Sequence, residues 1–309
     1  MDSRLAAELE LASVPDDELV RRLYRLALRR EPEPEVLTQT EGRLAEGTLS
    51  RAALLADLVT GAEYDRVRLL DDAVAFAAWA RRTGERPREL TAPSGSDERP
   101  IEIPWCLARY RGEPRVLDVG YAHAEPAYLA GLVGLQAREL VGVDLAEAEV
   151  PGLRPVVADV RSLPLADGSF DVVFCISTIE HVGADNVRYG LDAARGGMGD
   201  ALRELRRVGG RVLITVPSGE PGDHGWFVQS NPEGWLRRFR DAGFLVFEHE
   251  VYELGEDGWR SAPAFDPRGV RYGERGPAAS AVLCAELHPR TAGRLLRERI
   301  RRLRHGKAG

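Results

Sequence analysis

Short apolar runs that each end in a polar residue recur in the middle of the chain. Three of them, Val116–Asp118, Leu140–Asp144 and Pro155–Asp159, end in an aspartate, and a fourth, Phe170–Ser177, ends in a serine. Short apolar runs separated by helical stretches indicate buried parallel strands of an open α/β sheet. Ligands of such sheets bind beyond the carboxyl ends of the strands, so these polar side chains mark a candidate binding edge.

The residues at this edge suit a nucleoside. Asp118–Gly120 predicts a tight turn after the first strand, and Glu125–Pro126 then opens a helix, since proline is favoured in a first helical turn. Asp144, at the end of the second strand, is placed to accept hydrogen bonds from a ribose diol. Asp159, at the end of the third, is placed to accept one from the exocyclic amine of adenine. The sequence therefore predicts a nucleoside cofactor.

Five motifs follow one another at characteristic intervals: Asp118–Gly120, Val143–Asp144, Ala158–Val160, Phe170–Val182 and Arg203–Pro217. In this order they resemble the class I S-adenosylmethionine-dependent methyltransferases, and the resemblance covers residues 100–287. It implies an α/β fold with a Rossmann-like, seven-stranded, mostly parallel sheet and flanking helices. It also implies S-adenosyl-L-methionine as the cofactor.

The resemblance assigns the cofactor to residues of these motifs, which are Asp118, Gly120, Tyr121, Asp144, Leu145, Asp159, Val160, Ser177 and Glu180. This family usually has more glycine where the chain has Tyr121–Glu125, and His123 is expected to contact the cofactor there. The departure motivates a rival, a non-catalytic cofactor-binding or scaffold protein. A dinucleotide oxidoreductase is disfavoured because residues 118–125 lack the Gly-x-Gly-x-x-Gly turn.

The N-terminal part has a different pattern. A helix start at Pro15–Glu18, a turn at residues 29–34 and further helices at residues 35–46 and 50–60 predict a small all-α module. It resembles a phycobilisome-linker-like helical domain of unknown function that often accompanies enzymes acting on glycans. We expect this module over residues 1–82, a linker rich in Pro, Gly, Ser and charge over 83–100, the cofactor-binding domain over 101–288 and a basic helix over 289–309.

Composition narrows the function further. The net charge of −7 argues against a general nucleic-acid binder. No apolar run approaches the ~20 residues that span a bilayer. Cys106, Cys175 and Cys284 lie in or near apolar runs, which favours buried reduced thiols and a cytoplasmic protein. The basic segment Arg290–Lys307 is expected either to dock on an acidic body or to contact an anionic partner, and a homo-oligomer is left open.

Two polar loops follow the fourth and fifth predicted strands, and loops at this edge usually bind substrate. A hydroxyl acceptor gains from a general base, most often histidine. The candidates are His181 and His224, with Asp185 next in line, although His181 is alternatively a helix-start residue and His224 a structural loop residue. Substrate contacts are expected from Asn186, Tyr189, Trp226 and Phe227.

Metal assistance is an alternative mechanism. Asp185 with Asn186, and Asp223 with His224, carry ligand types compatible with magnesium or manganese, but nothing in the sequence fixes their geometry, and no metal ligand is assigned. We therefore expect an S-adenosylmethionine-dependent enzyme. Its acceptor is expected to be a small hydroxylated molecule, a sugar or glycosylated metabolite first, with N- or C-methylation as the alternative.

Overall fold

The computed structural model describes residues 14–184 and 197–290. The chain divides into two compact units between residues 72 and 73. Among the described residues, no helix is long and apolar enough to cross a membrane. The predicted basic helix at 289–309 lies outside them beyond residue 290, where nothing is described.

The first unit is helical. Its helices are α1 (Asp16–Leu28), α2 (Pro34–Ala45), α3 (Arg51–Val59) and the start of α4 (Ala62–Thr83), which continues past the division at residue 72. Leu19 and Leu23 on α1 pack with Leu54 and Leu55 on α3 in one apolar cluster. The side chain of Ser50 caps α3 by accepting a hydrogen bond from the backbone N–H of Ala53 at 3.1 Å, as its residue type predicts.

The second unit is built on one eight-stranded sheet. Its strands are β1 (Arg115–Val119), β2 (Glu139–Asp144), β3 (Arg154–Val157), β4 (Val172–Ile176), β5 (Val212–Pro217), β8 (Phe244–Gly255), β9 (Gly258–Ser261) and β10 (Ala281–Pro289). The order across the sheet is β3-β2-β1-β4-β5-β10-β8-β9. Neighbours from β3 to β5 are parallel, whereas β10, β8 and β9 pair antiparallel. A separate short hairpin joins β6 (Gly222–Asp223) to β7 (Val228–Gln229).

The Rossmann-like, mostly parallel α/β prediction is confirmed, with eight strands rather than seven. The extra strand is β9, which pairs with β8 through a short turn. At this turn Gly258 has φ +113°, and a Cβ there would lie 2.2 Å from the carbonyl oxygen of Ala92. A glycine is therefore required for β9 to approach the segment that precedes the domain, a tertiary contact that no local pattern reports.

Helices flank the sheet: α5 (Arg99–Leu107), α6 (Pro126–Val133), α7 (Met198–Val208) and α8 (Pro232–Asp241). The local sequence places two of their starts. Helix α6 begins at Pro126, as predicted, and α8 begins at Pro232 after Asn231, whose side chain accepts from the N–H of Gly234 at 2.7 Å. Phe239 on α8 and Leu205 on α7 are fully buried in the core beneath the sheet.

Part of the predicted linker is packed on the sheet. Ala92 exchanges backbone hydrogen bonds with Trp259 of β9, and the Trp259 indole donates to the carbonyl of Ser96 at 3.1 Å. The Tyr252 hydroxyl of β8 donates to the carbonyl of Arg88 at 2.9 Å. The four-part division of the chain stays a prediction, but this segment contributes contacts to the second unit.

Candidate active site

A cavity of about 310 Å³ lies beyond the carboxyl ends of β1, β2 and β4. Its size falls within the range of small-molecule sites. The structure brings ten of the sequence-predicted site residues to its walls: Asp118, Gly120, His123, Asp144, Leu145, Asp159, Val160, Ser177, His181 and Trp226. The predicted binding edge and the cavity coincide because parallel strands present their ends at one side of the sheet.

The turn after β1 depends on Gly120. Its φ is +90°, and a Cβ at this position would lie 2.3 Å from Oγ1 of Thr178. The Thr178 hydroxyl donates to the carbonyl of Val119 at 3.1 Å, so the two loops are joined at the cavity floor. Only glycine allows this backbone to turn and approach so closely.

Asp144 is fixed at the end of β2 by the glycine loop. Its Oδ2 accepts from the N–H of Ala122 at 3.0 Å, and its Oδ1 accepts from the N–H of Ala146 at 3.2 Å. An ionised carboxylate has about four acceptor positions, so two backbone bonds leave capacity for a diol. The contact with Ala122 also explains how a loop with few glycines keeps its shape.

Asp118 lies under the cavity and is almost fully buried. Its Oδ1 accepts from the hydroxyl of Tyr128, whereas its Oδ2 has no hydrogen-bond partner among the residues that the structure describes. Burial raises the pKa of this carboxyl to about 7. An unsatisfied, buried carboxylate oxygen beside a cavity is suited to accept a hydrogen bond from a ligand donor.

Asp159 has a different environment at the end of β3. Arg161 pairs with it through three side-chain contacts of 2.6–3.0 Å, and the Arg161 backbone N–H adds another at 2.8 Å. These hydrogen bonds hold the pKa of the Asp159 carboxyl below its usual value. The side chain is thus an ionised acceptor of fixed orientation at the cavity wall.

A buried polar chain supports the floor at β4. Ser177 has φ +41° and donates from its hydroxyl to Oε1 of Glu102 at 2.6 Å. Glu102 is fully buried, and its Oε2 accepts from Nη1 of Arg99 at 2.6 Å. Arg99 in turn lines the cavity. Ser177 and Arg99 are therefore oriented by one carboxylate that does not itself reach the cavity.

Glu180 and Tyr121, both expected to bind the cofactor, do not line the cavity. Glu180 is buried, and burial raises the pKa of its carboxyl well above the usual value. Tyr121 is fully buried: its hydroxyl donates to the carbonyl of Ala148 at 3.2 Å, and a Cβ on Gly142 would lie 2.6 Å from its ring. The apolar ring of Tyr121 is buried beneath the loop, where it supports the backbone instead of facing the cavity.

The two candidate bases are separated. His181 ends a short 3-10 helix, Ile179–His181, and lines the cavity, with its Nδ1 3.1 Å from the carbonyl oxygen of Trp226. His224 does not line the cavity; its ring stacks on Phe227 at 4.5 Å between centroids and 6° between planes. Phe227 is buried, whereas Trp226 is about half exposed at the cavity mouth.

Some candidates lie outside the described residues, namely Asp185, Asn186 and Tyr189. Within the parts of the chain that the structure describes, no group of three or more His, Cys, Asp or Glu side chains is arranged to hold a metal ion. Asp223 and His224 sit in the β6–β7 hairpin, where Oδ1 of Asp223 accepts from the N–H of Gly225 at 2.8 Å.

The cavity also contains residues that the sequence reasoning missed. They are Arg99, Ile103, Glu125, Tyr128 and Thr178. Arg99 and Glu102 had one visible signal, because they are charged residues at the start of the otherwise apolar stretch Ile101–Leu107. Assigning residues 83–100 to a linker hid that signal, since the helix that carries it begins inside the predicted linker.

These residues fit S-adenosyl-L-methionine. Asp144 would hold the ribose hydroxyls, and Asp159 the adenine amine, since each presents carboxylate oxygens at the cavity wall. The unpartnered Oδ2 of Asp118 suits a cationic donor, and Gly120 leaves room for close approach of a ligand to the backbone.

Comparison with known proteins identifies a domain in this part of the chain. Residues 117–214 match the family model described as a methyltransferase domain. No curated protein matches the chain significantly.

Three of the solved structures that are similar illustrate the range. One is the 1,6-didemethyltoxoflavin-N1-methyltransferase of Burkholderia thailandensis, solved with 1,6-didemethyltoxoflavin and S-adenosylhomocysteine; it is 16% identical, covering 58% of this chain and 73% of its own, with TM-score 0.39. The YcgJ protein of Bacillus subtilis is 17% identical; the match covers 60% of this chain and 95% of that protein, with TM-score 0.40. The 4+2 cyclase SpnF is 17% identical; the match covers 75% of this chain and 96% of that protein, with TM-score 0.44.

The family match spans β1 to β5, the strands whose carboxyl ends carry the cavity. Residues 117–214 therefore belong to a methyltransferase domain, and the sheet that carries it has the Rossmann-like fold of the class I S-adenosylmethionine-dependent methyltransferases.

Proposed function

We propose that this protein methylates a hydroxyl oxygen of a small molecule, with a sugar or glycosylated metabolite as the first candidate acceptor. Such an enzyme would modify sugars or natural products, and the cytoplasm is its expected location. The observation that carries the proposal is that His181 lines the cavity next to Trp226, at the mouth where an acceptor has to enter.

The two ends of the cavity have different chemistry. At the strand ends, carboxylates and backbone donors suit a nucleoside. Near its mouth, the ring of Trp226 lies 5.0 Å from that of His181 and is about half exposed, so it offers a flat apolar surface. Aromatic side chains of this kind stack on flat rings, and they can also cover the apolar face of a sugar.

His181 would act as the general base. When bound, S-adenosyl-L-methionine supplies an electrophilic methyl group, and its transfer to oxygen leaves a neutral thioether. The protein aligns the acceptor hydroxyl and removes its proton, and a base positioned for that purpose typically contributes about 10²- to 10⁴-fold in rate. Oε1 of Glu180 is 3.9 Å from Nε2 of His181, which is too far for a hydrogen bond between them.

A panel of hydroxylated acceptors, incubated with the protein and S-adenosyl-L-methionine, tests the reaction through release of S-adenosylhomocysteine and through the mass and attachment site of the product. Exclusive methylation of nitrogen or carbon would overturn the O-directed proposal. Turnover that disappears on exhaustive chelation and returns with magnesium would assign the mechanism to a metal instead.

His181→Gln then tests the base, and we expect a loss of about 10²- to 10⁴-fold in kcat with nearly unchanged cofactor affinity. His224→Gln should lower kcat less than His181→Gln does, because the His224 ring stacks on Phe227 away from the cavity. His249→Gln is the matched control, since His249 lies on β8 and does not line the cavity. Near-normal turnover of His181→Gln would leave proton removal to water or a carboxylate.

A further inference from the structure

The contact between His181 and Trp226 restricts the chemistry of the imidazole. Nδ1 of His181 lies 3.1 Å from the backbone carbonyl oxygen of Trp226. A carbonyl oxygen only accepts hydrogen bonds, so Nδ1 must carry a proton to make this one. A neutral His181 ring in this geometry therefore has its proton on Nδ1 and its lone pair on Nε2.

The carbonyl of Trp226 is held in place by the β6–β7 hairpin. The hairpin turn is closed by a hydrogen bond of 3.0 Å from the N–H of His224 to the carbonyl of Phe227. Gly225 takes φ +84° within it, and its N–H donates to Asp223 at 2.8 Å. The left-handed conformation at Gly225 sets the direction of the chain on entering Trp226.

Packing secures the hairpin from below. Phe227 is only 1% exposed and contacts four other rings: His224 at 4.5 Å, Trp226 at 4.6 Å, Tyr272 at 4.7 Å and His181 itself at 5.9 Å between centroids. At its base, Gln229 donates to the carbonyls of Glu220 and Val270. The carbonyl that faces His181 thus belongs to an anchored element, not to a freely moving loop.

We propose that the β6–β7 hairpin selects the tautomer of His181 through the Trp226 carbonyl, so that Phe227 and the Trp226 backbone are positioning groups for proton removal. The proposal rests on the proposed function in one respect, the use of His181 as the base. The acceptor hydroxyl then gives its proton to Nε2. The resulting imidazolium keeps its Nδ1–H bond to the carbonyl and later releases the Nε2 proton to water.

This proposal also gives His224 a role. Its ring lies parallel to that of Phe227, so it helps to fix the hairpin, and it acts on the reaction through His181 and not on the substrate. Because the rate scales with the fraction of the competent tautomer, a variant that keeps about a tenth of it should lose about tenfold in kcat. The affinity for the cofactor should stay the same.

The tautomer is measured directly by nitrogen NMR of the full-length protein labelled in its histidine rings, at a pH where His181 is neutral and with no substrate present. The His181 signals are assigned by their loss in His181→Gln. We expect Nδ1 to show the shift of a protonated nitrogen and Nε2 that of a lone-pair nitrogen. An Nε2–H ring, or the averaged shifts of free histidine, would overturn the proposal.

Two variants test the role of the hairpin. Phe227→Ala removes its packing, and Gly225→Ala strains the turn while meeting no atom within 4 Å. Either should lower the Nδ1–H fraction and kcat in the same proportion. Tyr272→Phe, which keeps the ring under the hairpin, is the matched control and should leave the tautomer unchanged. If Phe227→Ala fails to fold, Gly225→Ala and the wild-type spectrum still test whether the hairpin sets the tautomer of His181.

The outcomes separate this proposal from the proposed function. An Nδ1–H ring in the wild type, together with full activity of His181→Gln, would retain the tautomer but reject His181 as the base. An Nε2–H ring in the wild type, together with loss of activity in His181→Gln, would retain His181 as a residue needed for activity but reject the proposed tautomer. A folded Gly225→Ala protein with an unchanged tautomer would reject the control by the hairpin.

Discussion

The Tyr128 hydroxyl donates a hydrogen bond to Oδ1 of Asp118, and this carboxylate is otherwise buried beneath the cavity with its second oxygen unpartnered. One neutral donor does not compensate for removing a charge from water, and burial raises the pKa of Asp118 to about 7 from an ordinary value of 3.8. Between about pH 4 and pH 7 the same carboxyl is thus mostly protonated in the folded chain without ligand and mostly ionised in the unfolded chain.

This difference predicts a pH dependence of stability. Between pH 4 and 7 the folded protein binds the Asp118 proton more tightly, so the free energy of unfolding falls as pH rises through this window and levels off above about pH 7. Asp118→Asn keeps an acceptor for Tyr128 but does not titrate. Between pH 5 and pH 8 we expect the free energy of unfolding of this variant to rise by about 2–3 kcal/mol relative to that of the wild type, at about 1.4 kcal/mol per pKa unit.

Urea unfolding at both pH values measures the effect. Asp266→Asn is the control: Asp266 is exposed, and hydrogen bonds from Arg268 lower the pKa of its carboxyl to about 2, so its contribution is constant over this range. If the difference between Asp118→Asn and the wild type did not change with pH, Asp118 would be ionised in the folded protein at pH 5.

Asp144 should bind the cofactor. Asp144→Ala is expected to weaken S-adenosyl-L-methionine binding by about 1.5–3 kcal/mol, the scale of hydrogen bonds to a charged group. Part of the loss will come from the glycine loop, since Asp144 also accepts from the N–H of Ala122. Calorimetry on Asp144→Asn separates the two, because an amide keeps one acceptor for the loop. Unchanged affinity in a folded Asp144→Ala protein would reject the assignment.

Gly120 should tolerate no side chain. At Gly120 an added Cβ meets Thr178 at 2.3 Å, whereas at Gly168 it meets nothing within 4 Å, although both residues have positive φ. Gly168→Ala should therefore cost about 1–2 kcal/mol for the backbone alone. Gly120→Ala should cost at least about 1 kcal/mol more, because the contact forces displacement of a loop in a packed region. Equal losses in denaturant unfolding would mean that the Thr178 loop yields freely.

The segment before the second unit should be needed for its stability. The sequence pattern predicts that a chain beginning at Asp97 still binds the cofactor. The structure changes that expectation, because such a chain loses the Ala92 and Ser96 carbonyls, which accept from the backbone N–H and the indole N–H of buried Trp259, and the buried side chain of Leu90.

Leaving buried donors unpaired costs about 1–3 kcal/mol each, so we expect a chain beginning at residue 97 to be several kcal/mol less stable than one beginning at residue 61. Denaturant unfolding of both chains, with cofactor titration of each, measures this. Equal stability of the two would show that the segment at 83–96 is a linker after all.

Much of the cofactor edge was predictable because its signals are local. A run of apolar residues that ends in an acid specifies both a buried strand and the polar group at its end, and parallel strands collect those groups at one edge. This is why Asp118, Asp144 and Asp159 were placed at the cavity from the pattern alone. Pro126 and Asn231 marked helix starts for equally local reasons.

The remaining site residues depend on contacts between distant segments. Glu102 contacts Ser177 across 75 positions of the chain, and His181 contacts Trp226 across 45. No periodicity encodes such pairs, and so Arg99 was hidden in a predicted linker and Glu102, just after it, was not recognised as its partner. For the same reason, Tyr121 and Phe227 were expected in the site as aromatic loop residues but are buried supports.

The sequence by itself determined the parallel strands, their nucleoside-binding edge and the resemblance to the family, because continuous apolar runs and strand-end acids are properties of short segments. Only the tertiary structure decided which histidine lines the cavity, which backbone carbonyl faces Nδ1 of His181 and where Asp118 is desolvated. Those properties arise from the distance between a side chain and groups brought to it by other parts of the fold, and from the water that those groups exclude.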